Sequence, residues 1–118
     1  MTPSDNQRFP KAVRIRRQKD FDAVHQSNAF AADEVLVVKA CPNEWGITRL
    51  GLSVSRRVGN AVVRNRWKRL IREAFRIQKN EMPVGLDLVY RPRKGAKCQW
   101  NAIFHSVKRL AERVEKKL

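Results

Sequence analysis

Acidic residues are scarce in this chain: eleven Asp and Glu face twenty-six Lys and Arg, for a formal net charge of +15 over 118 residues. A compact domain with that excess of one sign repels itself, and a polyanionic partner is the usual compensation. The chain also lacks the run of ~18 apolar residues that a membrane-spanning helix needs, and its N-terminus does not resemble a signal peptide. These absences favour nucleic acid over a membrane surface and predict a cytoplasmic protein.

Side chains that hold metal ions or carry out acid–base chemistry are also few. The two cysteines, Cys41 and Cys98, lack a CxxC spacing, which indicates reduced thiols rather than a disulfide or a metal site. The two histidines, His25 and His105, have no local ligand spacing with the cysteines or with each other. A self-sufficient nuclease would need clustered carboxylates or a histidine pair. We therefore predict no catalytic residue and no metal ligand in this chain.

Hydrophobic residues make up 42% of the chain, enough for one core. Residues 1–13 contain Pro3 and Pro10 among mostly polar neighbours and predict a flexible basic arm. Residues 14–118 predict a single α+β domain of layered helices and strands. Hydrophobic periodicity places its elements as a short helix over 14–26, strands over 35–38, 47–55 and 86–90, a long helix over 60–79, and a last helix from about residue 100.

The predicted strand over 47–55 has two different faces. Leu50, Leu52 and Val54 alternate with Gly51, Ser53 and Ser55. The face of small residues allows close approach, either by a packed helix or by a ligand backbone in a shallow groove. The sequence leaves both possibilities open.

The segment 56–76 carries the strongest functional signal, with eight basic residues and one acidic residue, Glu73. At about 100° per residue, a helix here separates an apolar side from a cationic side. The apolar side comprises Val63, Trp67, Leu70, Ile71, Ala74 and Ile77. The opposite side comprises Arg64, Asn65, Arg66, Lys68, Arg69, Arg72 and Arg76. The helix can thus bury one side while it presents the other to a ligand.

These side chains suit RNA in particular. Arginine binds phosphate through two parallel hydrogen bonds and stacks on bases, and asparagine can contact phosphate, base edge or 2′-hydroxyl. Asn60 is the predicted helix cap, and the free amides at that helix start favour an anion. Arg56 and Arg57 precede it directly. A purely solvated basic face is the alternative, but the mutual repulsion of six cationic side chains on one side of the helix disfavours it.

Residues 51–75, GLSVSRRVGNAVVRNRWKRLIREAF, closely resemble the RNR region of the bacterial ribonuclease P protein subunit. Residues 14–21, RIRRQKDF, are similar to the N-terminal basic segment of that family, which ends in Asp-Phe. The resemblance extends in order over roughly residues 14–113. Its long central motif is far more specific than a three-residue match.

The resemblance implies an α/β sandwich like the second domain of ribosomal protein S5: a small mixed sheet, about three helices and a left-handed crossover at the RNR helix. It implies two partners, one catalytic RNA per protein and precursor tRNA. In such enzymes the RNA catalyses Mg²⁺-assisted removal of the 5′ leader, and the RNA is expected to bind most of the Mg²⁺. A structural RNA-binding protein of ribosomal type is the alternative that composition alone leaves open.

Site residues follow from the same resemblance. The residues expected to contact the catalytic RNA are Arg56, Arg57, Asn60, Arg64, Asn65, Arg66, Lys68, Arg69 and Arg72. Those expected in the leader-binding cleft, together with the sheet face, are Arg17, Phe21, His25 and Ser53. His25 stands where family members often carry a second aromatic residue, so it either stacks weakly on a base or is an ordinary exposed helix residue.

Overall fold

The computed structural model describes residues 13–118. Of the predicted arm over 1–13, only Val13 falls within this range, and it is buried against the core; the remainder lies outside the described residues. The helices are α1 (Gln18–Gln26), α2 (Ala61–Gln78) and α3 (Trp100–Glu115). The strands are β1 (Phe30–Ala32), β2 (Leu36–Pro42), β3 (Arg49–Leu52) and β4 (Leu86–Pro92).

The strands form one mixed sheet in the order β1-β2-β4-β3. β2 runs antiparallel to both β1 and β4, whereas β3 and β4 are parallel, with Leu50 opposite Leu88. A parallel pair requires a crossover connection, and α2 supplies it between β3 and β4. The predicted α+β class, with a small mixed sheet and three helices, is confirmed.

One face of the sheet packs against α2 and α3 to form the main core. Trp67 and Ile71 of α2, and Val107 of α3, are buried there. Tyr90 of β4 is fully buried, and its hydroxyl donates a hydrogen bond of 2.7 Å to the carbonyl of Val107. Burial raises the pKa of Tyr90 far above its usual value. Its one polar side-chain atom is therefore neutral and paired.

The other face of the sheet is partly covered by α1. Val24 of α1 is fully buried with Ile15 and Val89, and Phe21 packs against this second cluster. β4 therefore has buried residues on both faces from Leu86 to Tyr90.

The structure differs from the sequence-based prediction in four details. Residues 14–17 precede the helix, because Arg14 forms a parallel bridge with Leu50 and the Ile15 amide donates to the Leu50 carbonyl at 2.9 Å. β3 is shorter than predicted, and β1 was not predicted. Val63 and Ile77, assigned to the apolar side of α2, are exposed.

Within residues 13–118, no helix has both the length and the apolar character needed to cross a bilayer.

Candidate RNA-binding surface

The start of α2 is built as the sequence predicted. Asn60 caps the helix, with its side-chain Oδ1 accepting from the Val63 amide at 3.0 Å. Gly59 precedes it at φ +155°, and a Cβ there would lie 2.9 Å from Val63, so a side chain at position 59 would collide with the first turn. A short 3₁₀ turn, Arg56–Val58, leads into this cap. Two arginines thus stand directly before the positive end of the helix dipole.

The buried and cationic sides of α2 separate largely as the periodicity indicated. Trp67, Ile71 and Ala74 are buried, and Phe75 and Gln78 join them. Seven of the predicted RNA contacts are exposed: Arg56, Arg57, Asn60, Asn65, Arg66, Arg69 and Arg72. Arg64 and Lys68 are half-buried. The helix therefore has one anchored side and one cationic side that solvent reaches.

Most cations on this side of α2 form no ion pair with a carboxylate of residues 13–118. Among residues 13–118, none of the nine predicted RNA contacts belongs to a salt bridge of 4.0 Å or less. Arg76, which lies on the same side but is not one of the nine, forms an ion pair with Glu73 one turn earlier. The hydrogen bond that Arg76 donates to Glu73 is the largest effect on its guanidinium and raises its pKa.

A groove of about 160 Å³ lies between α1, β3 and the cationic side of α2. Its lining residues are Arg14, Ile15, Phe21, Leu50, Gly51, Leu52, Lys68 and Arg72. We call it the Phe21 groove. Partial burial, and then the nearby charge of Arg14, lower the pKa of Arg72; an arginine still stays protonated. Like charges held this close favour a bound anion such as phosphate.

The small-residue face of β3 receives a helix side chain. A Cβ at Gly51 would lie 2.8 Å from Cε1 of Phe21, so the aromatic ring occupies the space that glycine leaves. Close helix packing and a groove were alternatives at the sequence level. Both are present here, since Phe21 packs on Gly51 and also lines the Phe21 groove.

The remaining predicted leader residues do not share this groove. Arg17 is exposed and lines a neighbouring groove near Trp45. His25 is exposed at the end of α1, where its carbonyl accepts from Nζ of Lys39 at 2.7 Å. Ser53 follows β3, and its amide donates to the Tyr90 carbonyl at 2.9 Å. The four residues therefore surround α1 and β3 rather than forming one pocket.

A second basic groove, of about 490 Å³, lies on the sheet and was missed at the sequence level. It is lined by Phe30, Ala32, Val37, Lys39, Arg91, Arg93 and Lys94. We call it the sheet groove. Nζ of Lys117 lies 5.1 Å from the centre of the Phe30 ring. The sequence shows that the segment after residue 90 is basic. It does not show that this segment lies beside β1 and β2, because that depends on the order of the strands in the sheet.

The described part of the chain contains no group of three or more His, Cys, Asp or Glu side chains placed to hold a metal ion. Cys41 and Cys98 are both free. Burial raises the pKa of the Cys98 thiol, although Arg66 and Arg69 act in the opposite direction. This marks Cys98 as a neighbour of the cationic side.

The family model described as Ribonuclease P matches residues 9–115 of this chain. The ribonuclease P protein component of Lachnoclostridium phytofermentans is 42% identical over 83 residues, covering 70% of this chain and 72% of the relative. That of Clostridium kluyveri is 40% identical over 103 residues, covering 85% and 92%. The solved RNase P protein of Staphylococcus aureus superposes with a TM-score of 0.78 at 34% identity, covering 89% of this chain and 97% of that one.

Proposed function

This chain belongs to the ribonuclease P protein family, and we propose that it binds the catalytic RNA and the 5′ leader of precursor tRNA. In this role it assists the endonucleolytic cut that gives the mature tRNA 5′ end. The observation that carries the proposal is the cationic side of α2. Nine predicted contact residues stand on or just before an anchored helix, and none of them is paired with a carboxylate among residues 13–118.

The catalytic step itself belongs, in this proposal, to the RNA subunit, which also binds most of the Mg²⁺. The chain's own task is to hold RNA backbone. Arginine forks such as that of Arg66 grip phosphate, and the α2 start at Asn60 adds a positive dipole end. Release of counterions from the RNA then contributes to affinity. We propose one protein per RNA subunit and a cytoplasmic site of action.

The leader would lie against the surfaces around α1. Phe21 offers a partly buried ring for base stacking, and Lys68 and Arg72 stand across the same groove for phosphates. The sheet groove continues the basic surface on the side of α1 where His25 and Lys39 meet. A strand of RNA that entered both grooves would meet Lys68 and Arg72 in the first and Lys39, Arg91, Arg93 and Lys94 in the second.

Reconstitution with a bacterial ribonuclease P RNA tests the proposal. At limiting Mg²⁺, addition of the protein should increase cleavage of a precursor tRNA at its mature 5′ end. A variant with Arg64→Ala and Arg66→Ala should give a smaller increase at equal concentration. A variant with Arg113→Ala and Lys116→Ala is the matched control, because it loses the same charge from exposed positions at the end of the chain.

Cleavage that is unchanged by the protein would contradict the proposal. Binding of many structured RNAs with similar affinity, and no stimulation, would instead indicate a structural RNA-binding protein of ribosomal type. The charge distribution is compatible with that second role, whereas family membership is not.

A further inference from the structure

Among residues 13–118, Trp45 is the most exposed large hydrophobic residue apart from Val62 and Val84, with 63% of its surface open to solvent. It lies in the loop between β2 and β3, which its own hydrogen bonds hold in shape. The Trp45 amide donates to Oδ1 of Asn43 at 2.9 Å, and Nδ2 of Asn43 donates to the Ile47 carbonyl at 3.0 Å. The indole is therefore presented by a braced loop.

One face of the Trp45 indole contacts the guanidinium of Arg49. The Arg49 guanidinium carbon lies 5.3 Å from the centre of the Trp45 ring. That guanidinium donates two hydrogen bonds to Asp87, from Nε to Oδ1 at 2.8 Å and from Nη2 to Oδ2 at 2.6 Å. The side chain of Arg49 is only 11% exposed. Because the arginine is held in place, the indole has a rigid support and needs little ordering before it binds.

Charge differs on the two sides of this platform. On one side is a groove of about 240 Å³ lined by Trp45, by four arginines and by one carboxylate: Arg14, Arg16, Arg17, Arg49 and Asp20. On the other side is a cavity of about 390 Å³ whose lining includes three carboxylates, Asp20, Glu44 and Asp87, and one cation, Arg49. A polyanion is attracted to the first side and repelled from the second. Arg16 and Arg17 are both exposed.

We propose that Trp45, Arg16 and Arg17 form a stacking site for one unpaired RNA base, with the base on the indole and its phosphates on the two arginines. The site adjoins the Phe21 groove, since Arg14 lines both, and it extends the RNA-binding surface to the loop between β2 and β3. The inference rests on the proposed function, because it takes RNA as the partner. A second copy of this chain is disfavoured as the occupant, since each copy carries a net charge of +15.

Fluorescence titration of the full chain tests the stacking. Binding of a short oligoadenylate should quench tryptophan emission, and an abasic oligomer of equal length should quench it much less. Trp45→Ala should abolish most of the quenching, since Trp67 is only 2% exposed and Trp100 is partly buried. It should also weaken oligoadenylate binding by about five- to 150-fold. The affinity of Trp45→Phe for the oligoadenylate should lie between those of the unchanged chain and of Trp45→Ala. Leu118→Ala, another exposed apolar residue, is the matched control and should bind as the unchanged chain does.

Three results would overturn the site. One is equal affinity for the oligoadenylate and the abasic oligomer. Another is unchanged oligoadenylate binding by Trp45→Ala. The third is emission that changes with protein concentration alone, which would place a second copy on the indole. Circular dichroism of each variant confirms that it is folded.

The base could come from the leader or from a loop of the catalytic RNA, and holoenzyme assays separate these sources. A rise in KM for Trp45→Ala that is larger for a long leader than for a one-nucleotide leader assigns the base to the leader. An equal rise, with weaker binding of the catalytic RNA alone, assigns it to that RNA. No change in either assay contradicts the site. Stimulation of cleavage by the unchanged chain is scored separately, so a failed proposed function and a failed stacking site remain distinguishable.

Discussion

Gly51 and Phe21 illustrate how one absent side chain shapes a surface. The Phe21 ring lies so close to Gly51 that an added Cβ would sit 2.8 Å from Cε1 and 3.2 Å from Cγ2 of Val89. Neither neighbour is the loose end of a long side chain. The position of the ring, and hence the shape of the Phe21 groove, depends on position 51 remaining glycine.

Gly51→Ala should push Phe21 out of place and destabilise the fold by about 1–3 kcal/mol, as overpacking generally does. The same variant should lose selectivity for precursor over mature tRNA, because the displaced ring no longer stacks on a leader base. Urea unfolding and competition binding measure the two effects.

A double-mutant cycle supplies the control for this pair. With Phe21→Ala already in place, Gly51→Ala should cost much less stability, because the collision is gone. Strictly additive losses of stability would mean that the ring and the glycine do not interact as described. Phe21→Ala alone should reduce precursor affinity more than mature tRNA affinity, and equal reductions would return Phe21 to a purely structural role.

At the level of elements, a helix or strand with a strong hydrophobic periodicity could be predicted from the sequence, whereas contacts between distant segments could not. α2 was predicted over 60–79 and spans Ala61–Gln78, because an amphipathic repeat and the Asn60 cap coincide. β1 has only three residues, Phe30–Ala32, and shows no alternation that could identify it. The predicted strand over 47–55 is too long, because the alternation of large and small residues continues past Leu52, where the strand's hydrogen-bonded pairing ends.

The same distinction applies to the candidate site. The cationic side of α2 could be read from spacing, since all its members lie within one helix. The sheet groove could not, because it joins Phe30, Lys39 and Arg91 from three strands. The Trp45 platform likewise depends on Arg49 and Asp87, which are 38 positions apart.

Asp33 ties two elements together, the turn between β1 and β2 and the helix α3. Its carboxylate accepts from the amides of Val35 and Leu36 at 2.8 and 3.0 Å. It also accepts from Oγ of Ser106 at 2.8 Å and from Nη2 of Arg109 at 2.6 Å. Burial raises the pKa of Asp33, but these hydrogen bonds outweigh it and lower the value from 3.8 to about 2.

The folded chain therefore favours ionised Asp33, and its stabilisation is complete above pH ~4 and disappears as the pH falls towards ~2. Asp33→Asn should lower the free energy of unfolding by about 2 kcal/mol at neutral pH, and the difference from the unchanged chain should narrow below pH ~4. Urea unfolding across this range measures it. Glu34→Gln, at the neighbouring position, should leave stability nearly unchanged. A difference independent of pH would contradict the ionic role.

Across the described part of the molecule, several of the few acidic residues form ion pairs that join different elements of the fold. Asp33 pairs with Arg109, Asp87 with Arg49, and Glu81 with Lys108. These pairs neutralise cations at the turn, in the sheet and between elements. Seven of the nine predicted RNA contacts are cationic, and none of these seven forms a salt bridge within the part of the chain that the structure describes. The side of α2 on which an RNA would lie therefore keeps its positive charge, which no carboxylate of residues 13–118 neutralises.

That distribution predicts how salt affects RNA binding. Each phosphate that the protein neutralises makes a plot of log affinity against log salt concentration steeper by about one unit. Arg64→Ala with Arg66→Ala should therefore flatten the slope by about one unit for each phosphate that is no longer bound, and should weaken binding most at low salt. Arg113→Ala with Lys116→Ala removes the same charge and should leave the slope nearly unchanged, because those residues lie on α3 and just after it. If both variants flattened the slope equally, net charge rather than the cationic side of α2 would govern RNA binding.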